Sequence, residues 1–248
     1  MFATCYVLGV AVKTVVPVRS PKKRGPTMIP VRRTQEQRRT ATRGALLDAA
    51  LDRLVAAGLS AFTTPEVCRR AGVSQGALFK HFSTKAELLA AVAEHLFEQL
   101  RERYATAFLA LAPKKRNLRG GLALLWNQML DGRLAAAFEL YTAARTDPEL
   151  QGRLAPVVRA HLSQIEAFAA TLVDLGDPAR VRSMTGLAIS AIQGMVLNQL
   201  ALPDAAQVRQ LRRDLDALGA LLLAAPALKA RDSRKSDVVS FSRSQPHG

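Results

Sequence analysis

Apolar residues recur at three- and four-residue spacing through most of the chain, and the breaks fall at helix-start and helix-stop residues. Leu46, Leu47, Ala50, Leu51, Leu54 and Val55 mark one face of a helix over residues 34–57, which Gly58 ends. Two short helices follow. From residue 84 to about 111 the period resumes through Leu88, Leu89, Val92, Leu96 and Leu100, until Pro113 stops it. Further helices are predicted at about 118–130, 133–145, 148–174, 177–200 and 204–224. Asp147-Pro148 and Asp177-Pro178 each set a cap residue before a proline at the first helical position, and Pro156 is expected to kink its helix near the start. No strand and no fixed-period repeat is predicted, and the linkers are short. The expected fold is therefore all-α, with a three-helix N-terminal unit over residues 34–92 and a six- or seven-helix bundle over 93–228.

Residues 62–88 carry the most specific pattern. Thr63 is placed to cap a helix, with Glu66 three residues on to close a capping box and Phe62 and Val67 at the staple positions. Ala71-Gly72-Val73 is a tight turn in which Gly72 supplies a left-handed backbone. Ser74 then caps a second short helix from residue 75 to 81, and Thr84 caps the next, with Glu87 closing another box. Two short helices across a three-residue glycine turn make a helix-turn-helix, whose second helix enters the DNA major groove N-terminal residues first. Val67, Ala71, Val73, Leu78 and Phe82 are expected to form its small core. Gln75, Ala77, Lys80 and His81 face outward, the residue types that base edges and phosphates call for, and Gly76 lets the backbone approach closely.

Composition sharpens this picture. Aromatics are only 5% while Ala and Leu abound, which favours helices throughout. The formal net charge is +15 and points to a polyanionic partner, either nucleic acid or an anionic membrane surface. Its distribution decides more. The first 33 residues hold seven bases and no acid, whereas residues 93–228 hold fifteen bases and thirteen acids. A basic front joined to a near-neutral body fits a DNA-reading end on a body with another task. Arg32, Arg33, Arg38, Arg39 and Arg43, at or before the start of the first helix, could form an arm entering the minor groove. Residues 1–33 read as a disordered basic extension, with Met28 as an alternative translation start, and residues 229–248 as a disordered basic tail. Residues 2–12 resemble a short signal core but lack a preceding charge and a clear cleavage pattern. No apolar run reaches membrane-spanning length. Cys5 and Cys68 form no disulfide framework, which suits a reducing cytoplasm.

The run Thr63-x-x-x-Val67-Cys68-x-x-Ala71-Gly72-Val73-Ser74-x-Gly76-x-Leu78-Phe79-x-His81-Phe82-x-Thr84-Lys85-x-x-Leu88 resembles the N-terminal signature of the TetR/AcrR family of transcriptional repressors. The match covers about residues 34–92. The remainder agrees in helix count and length, plus the run Arg145-Thr146-Asp147-Pro148-Glu149-Leu150. The resemblance implies that Ser74, Gln75, Gly76, Ala77 and Lys80 face the groove and that His81, Lys85 and Thr63 contact phosphates. Two departures stand out: Phe79 where the family often has Tyr, and Cys68, read as a buried small residue, where Ala is usual.

The same resemblance implies a body that binds a small effector and dimerises through its last two helices, about 178–200 and 204–224. A homodimer would match the two-fold symmetry of operator half-sites. Candidate effector contacts are Trp126, Met129, Phe138, Tyr141, His161, Phe168 and Gln193, a mostly apolar set suited to a hydrophobic or aromatic molecule. Effector binding would shift the 84–111 helix and spread the two reading heads. The expected protein is thus a ligand-responsive, sequence-specific DNA-binding regulator, with double-stranded DNA, an effector and a second copy as partners and with no metal or cofactor. Two other readings stay open. One is a membrane-surface protein with basic arms, although no helix sets a Lys/Arg-rich face over a continuous apolar one. The other is a helical enzyme, although His81, His95, His161 and His247 show no metal or triad spacing and Arg119-Gly120-Gly121 is too short for a phosphate loop.

Overall fold

The computed structural model describes residues 3–7, 10–14, 34–129, 132–172 and 177–224. Nine α-helices lie among them: α1 (Gln35–Ala57), α2 (Thr64–Ala71), α3 (Gln75–His81), α4 (Lys85–Ala110), α5 (Leu118–Met129), α6 (Arg133–Ala144), α7 (Pro148–Leu172), α8 (Pro178–Ala201) and α9 (Ala205–Ala224). A single 3-10 turn, Pro113–Lys115, joins α4 to α5. The helices α5 to α9 lie in the body, and α4 runs into it from the head, which gives six body helices, within the expected six or seven.

The helix starts follow from side-chain caps. Thr34 Oγ1 accepts from Gln37 N at 3.2 Å, and Gln37 Oε1 accepts from Thr34 N at 2.9 Å, a closed capping box. Asp147 Oδ1 accepts from Leu150 N at 3.0 Å and Asp177 Oδ1 from Ala179 N at 2.8 Å. Gly58 ends α1 at φ +72°, and α7 runs through Pro156 without ending.

Two expectations for the N-terminal extension change. Ala3–Val7 and Val10–Thr14 pair as an antiparallel hairpin, with Ala3 opposite Thr14 and Val7 opposite Val10. The sequence pattern predicts no strand, and its composition reads residues 1–33 as disordered throughout. The β-branched content of these two segments, Thr4, Val7, Val10, Val12 and Thr14, is the local reason for pairing. Residues 15–33, with Arg32 and Arg33, and the tail 229–248 lie outside the described residues.

The core is continuous from one end of the helical unit to the other. Leu46, Leu51 and Leu54 of α1, Val67 of α2, Leu78 of α3 and Phe82 are all essentially inaccessible. They join one cluster with Leu88, Leu96 and Phe97 of α4, Trp126, Leu140, Leu150 and Ile192. The helix α4 is common to both parts of this cluster: its first half packs on the head and its second half packs along α7 and α5 in the body. Burying a large aliphatic or aromatic side chain in such a core contributes about 1.5–3 kcal/mol, so α4 cannot move without repacking both ends.

Candidate nucleic-acid interface and internal cavity

The head is built as a helix-turn-helix. Gly72 closes α2 at φ +67°, the left-handed region that a side chain would strain, and its N–H reaches Arg69 O at 3.4 Å. Ser74 Oγ accepts from Ala77 N at 3.2 Å and starts α3. The cap uses an oxygen lone pair, so the Ser74 hydroxyl hydrogen is still free to donate to a phosphate. Val67, Leu78 and Phe82 are buried, with Ala71 and Val73 packed against them, so the expected small core forms. That packing leaves Ser74, Gln75, Gly76, Phe79 and Lys80 exposed and Ala77 and His81 half-buried. Six of these seven were expected to face DNA. The seventh, Phe79, is an apolar ring that remains 49% exposed at the same face.

The electrostatics differ from the sequence reading at four positions. Thr63 is exposed and makes no capping bond, and the reciprocal half of the box is also absent, because the Glu66 carboxylate accepts from Arg69 Nε at 2.8 Å and Arg70 Nε at 3.0 Å instead of from Thr63 N. Hydrogen bonds from those two guanidiniums hold the Glu66 carboxyl down at about 2. Thr84 Oγ1 does accept from Glu87 N at 3.1 Å, but the Glu87 carboxylate answers Ser83 N at 2.8 Å, one residue earlier than a closed box requires. Lys85 Nζ donates to Phe62 O at 3.2 Å and sits 5.7 Å from the Phe62 ring centroid, so its ammonium is tied to the head's own scaffold. Arg38, Arg39 and Arg43 are exposed residues of α1 rather than of a flexible arm, since the Thr34 capping box starts the helix before them. Arg43 lies 5.2 Å from the Phe82 centroid, beside the end of α3. Burial, with Arg39 and Arg43 nearby, lowers the His81 pKa. Cys68 is buried and its thiol pushed up by that burial, as a packing residue should be.

The body holds a cavity of about 190 Å³ between α4, α5, α6, α7, α8 and α9. Five of the seven candidates line it: Trp126, Tyr141, His161, Phe168 and Gln193. Phe138 does not. It packs edge-on against Tyr141, with centroids 6.1 Å apart, on the side of the hydrophobic core. The Met129 side chain lies outside the described residues. The walls are otherwise largely aliphatic, through residues such as Leu125, Ile165, Leu172 and Ile192. Three groups missed in the sequence matter here. Tyr104 is buried, donates to Gly121 O at 3.0 Å, and stands edge-on to Phe168. Gly121 itself has no room for a side chain, since an added Cβ would lie 2.9 Å from Tyr104 Oη and 3.1 Å from Leu172 Cδ1. Arg101 brings a guanidinium to the cavity wall, its Nη1 3.3 Å from His161 Nδ1.

Two carboxylates tie head to body. Glu139 of α6 accepts from Leu59 N at 2.5 Å, just past the α1 C-terminus. Glu149, in the first turn of α7, accepts from Thr84 Oγ1, the α4 cap, at 2.7 Å and is paired with Arg153 at 3.0 Å. Both bonds span large sequence separations, 80 and 65 residues, so no local pattern points to either pairing.

An exposed recognition helix on a helix-turn-helix, mounted on a body with an internal cavity, defines a DNA-binding transcriptional regulator. The comparisons agree. Residues 46–92 match the family described as bacterial regulatory proteins, tetR family, and residues 118–224 match the tetracyclin repressor-like C-terminal domain. The HTH-type transcriptional regulator CymR of Pseudomonas putida is 32% identical over 189 residues, 75% of this chain and 92% of CymR. An HTH-type transcriptional regulator of Mycobacterium tuberculosis is 32% identical over 140 residues, covering 56% and 72% of the two chains. The fold is shared with a Rhodococcus transcriptional regulator (TM-score 0.58, 24% identity, 75% of this chain and 99% of that one). It is also shared with the multidrug binding protein EbrR crystallised with ethidium (TM-score 0.56, 24% identity, 71% and 97%). The chain belongs to the TetR family of transcriptional regulators. No helix among the described residues is long and apolar enough to cross a membrane.

Proposed function

We propose that this regulator is a cytoplasmic homodimeric repressor, held on a two-fold-symmetric operator by α3 and released when a small apolar or aromatic effector enters the body cavity. The observation that carries the reading is the course of α4, which joins the head through Lys85 and Leu88 and lines the cavity through Leu100, Arg101 and Tyr104. An effector that prefers one packing of the cavity thereby prefers one position of the head. Ser74, Gln75, Gly76, Ala77 and Lys80 are the proposed groove contacts. Thr63, His81, Arg38 and Arg43 are proposed for the phosphates, and Lys85 acts there only if it leaves the Phe62 carbonyl. Dimer formation is supported by α8, where Leu187, Leu197 and Leu200 remain more than half exposed, an arrangement a second copy would cover. The binding of ethidium by a structural neighbour is consistent with a cavity of this architecture taking an aromatic guest.

A mobility-shift titration with the DNA upstream of the protein's own coding region tests this reading. The expected result is a sequence-selective shift that weakens steeply with salt. A shift indifferent to sequence would overturn it.

A further inference from the structure

The cavity carries a feature that a purely apolar guest would leave unused. Arg101, on α4, lines an otherwise largely hydrophobic wall. Its only hydrogen bond among the described residues runs from Nη1 to His161 Nδ1 at 3.3 Å. Its Nε is buried with no acceptor among the described residues. No carboxylate lies within ion-pair distance of it among the described residues, although Glu94, Glu98 and Glu102 of the same helix contribute a weaker field from exposed positions. Arg212 and Asp216 of α9 also line the cavity and offset each other in charge.

A guanidinium is always charged, so in this contact it must donate and His161 Nδ1 must accept. The His161 proton therefore sits on Nε2 and the ring is neutral. Its ring lies flat on Phe97, with centroids 4.1 Å apart and planes 4° from parallel, which fixes its orientation. Burial, with Arg101 beside it, holds the His161 pKa down at about 4, in keeping with a ring that does not compete for an anion by carrying charge. The result is a preorganised cation, steadied on one side by His161, whose Nε–H has no partner among the described residues. A buried donor of that kind costs free energy until an acceptor arrives, and a planar carboxylate is the acceptor that matches the guanidinium edge.

We propose that the effector of this regulator is a small monocarboxylate with an aromatic or branched apolar body, its carboxylate held by Arg101 and its body packed among Trp126, Phe168 and Ile192. This rests on the reading of the cavity as the effector site. Because Arg101 is on α4 and His161 on α7, the same anion would bear on the contact between the two helices that meet again at the head through Thr84 and Glu149.

The chain's single tryptophan, Trp126, lines the cavity and reports on binding there. Its fluorescence is titrated with benzoate, 4-tert-butylbenzoate and 3-phenylpropanoate, each against its primary amide, in the wild type and in Arg101→Met and Arg101→Lys. Melting curves establish that each variant is folded. Saturable changes are expected with the carboxylates, at least tenfold weaker for the matched amides, weakened about 10- to 100-fold by Arg101→Met and partly kept by Arg101→Lys. Amides binding as tightly as their acids, or acids unaffected by Arg101→Met, would overturn the anion proposal and leave the cavity as an effector site. A Trp126 signal that answers to no compound of either kind would overturn it as well. If carboxylates bind through Arg101 but never alter the operator shift, the proposed release mechanism fails while the carboxylate site stands.

Discussion

Replacing Gly76 with alanine should raise stability and lower operator affinity in the same molecule. Gly76 lies in the first turn of α3, and a Cβ added there meets only Ser74 Oγ, at 3.9 Å, an ordinary van der Waals distance. Nothing in the fold demands glycine at this position. Alanine relieves the backbone entropy that glycine costs, worth about 0.5 kcal/mol near a helix start. For a protein of this size that raises Tm by about 1–2 °C. In the proposed docking of α3 in the groove, the partner that the missing side chain accommodates is the DNA. A methyl group forced between α3 and the groove costs about 1–3 kcal/mol of fit, as overpacking does elsewhere, which is about 5- to 150-fold in Kd. Non-specific binding, carried by phosphate contacts, should be unchanged. Calorimetric melting and parallel mobility shifts on operator and random DNA measure all three quantities. A variant that is more stable and binds operator as well as the wild type would refute the close approach of α3. A variant that melts lower would show that the glycine serves the head's own packing.

Four further outcomes follow from the body. His161 is held near pKa 4 when folded but titrates near 6.5 when exposed, so the unfolded chain binds more protons between those values. Stability should therefore fall as pH drops from about 6.5 to 4, by on the order of 3 kcal/mol, and denaturant midpoints of His161→Gln should lack that part of the slope. Glu139→Ala strands the Leu59 N–H and should cost about 1–3 kcal/mol, with Glu139→Gln recovering most of it. Equilibrium denaturation decides, and equal losses for the two would exclude the hydrogen bond as the cause. Gly121→Val drives a side chain against Tyr104 and Leu172, and should destabilise by about 1–3 kcal/mol and abolish Trp126 responses to cavity ligands. Leu197→Glu charges the exposed stripe of α8, and sedimentation should find it at the mass of one 26.8 kDa chain where the wild type sediments at twice that.

The helical skeleton was legible because its boundaries are chemical. Gly58, Gly72, Ser74, Thr84, Asp147 and Asp177 each mark an end by a cap or a turn, and the observed helices begin or stop within a residue or two of them. The outward face of α3 was legible for the same reason, since short-range periodicity fixes which side of a seven-residue helix can be buried. In the sequence Phe79 stands out only as a replacement of Tyr, whereas its exposure is the larger departure. Contacts between distant helices were not legible. Arg101 stands in a stretch with Glu94, Glu98, Glu102 and Arg103, where a charge reads as solvated, and only the packing of α7 brings His161 to it across sixty residues. Glu139 reaches Leu59 across eighty. Phe138 and Tyr141 share a helix and an aromatic ring, yet only Tyr141 faces the cavity. The carboxylate half of the Thr63 box is lost because two arginines, three and four residues beyond Glu66, compete for the carboxylate more strongly than a backbone N–H does. The glycine pair set aside as too short for a phosphate loop turns out to admit Lys115 O and Tyr104 against the start of α5.

The most direct test of the account is selection of bound duplexes from a random DNA pool by the full-length protein, repeated with Gln75→Ala and Lys80→Ala together. The account predicts enrichment of a palindromic motif whose half-sites are spaced by whole helical turns, about 34–36 Å centre to centre or a multiple of that, and loss of the enrichment in the double variant while weak salt-sensitive binding persists. Binding without any enriched motif, or the same motif selected by the double variant, would contradict it.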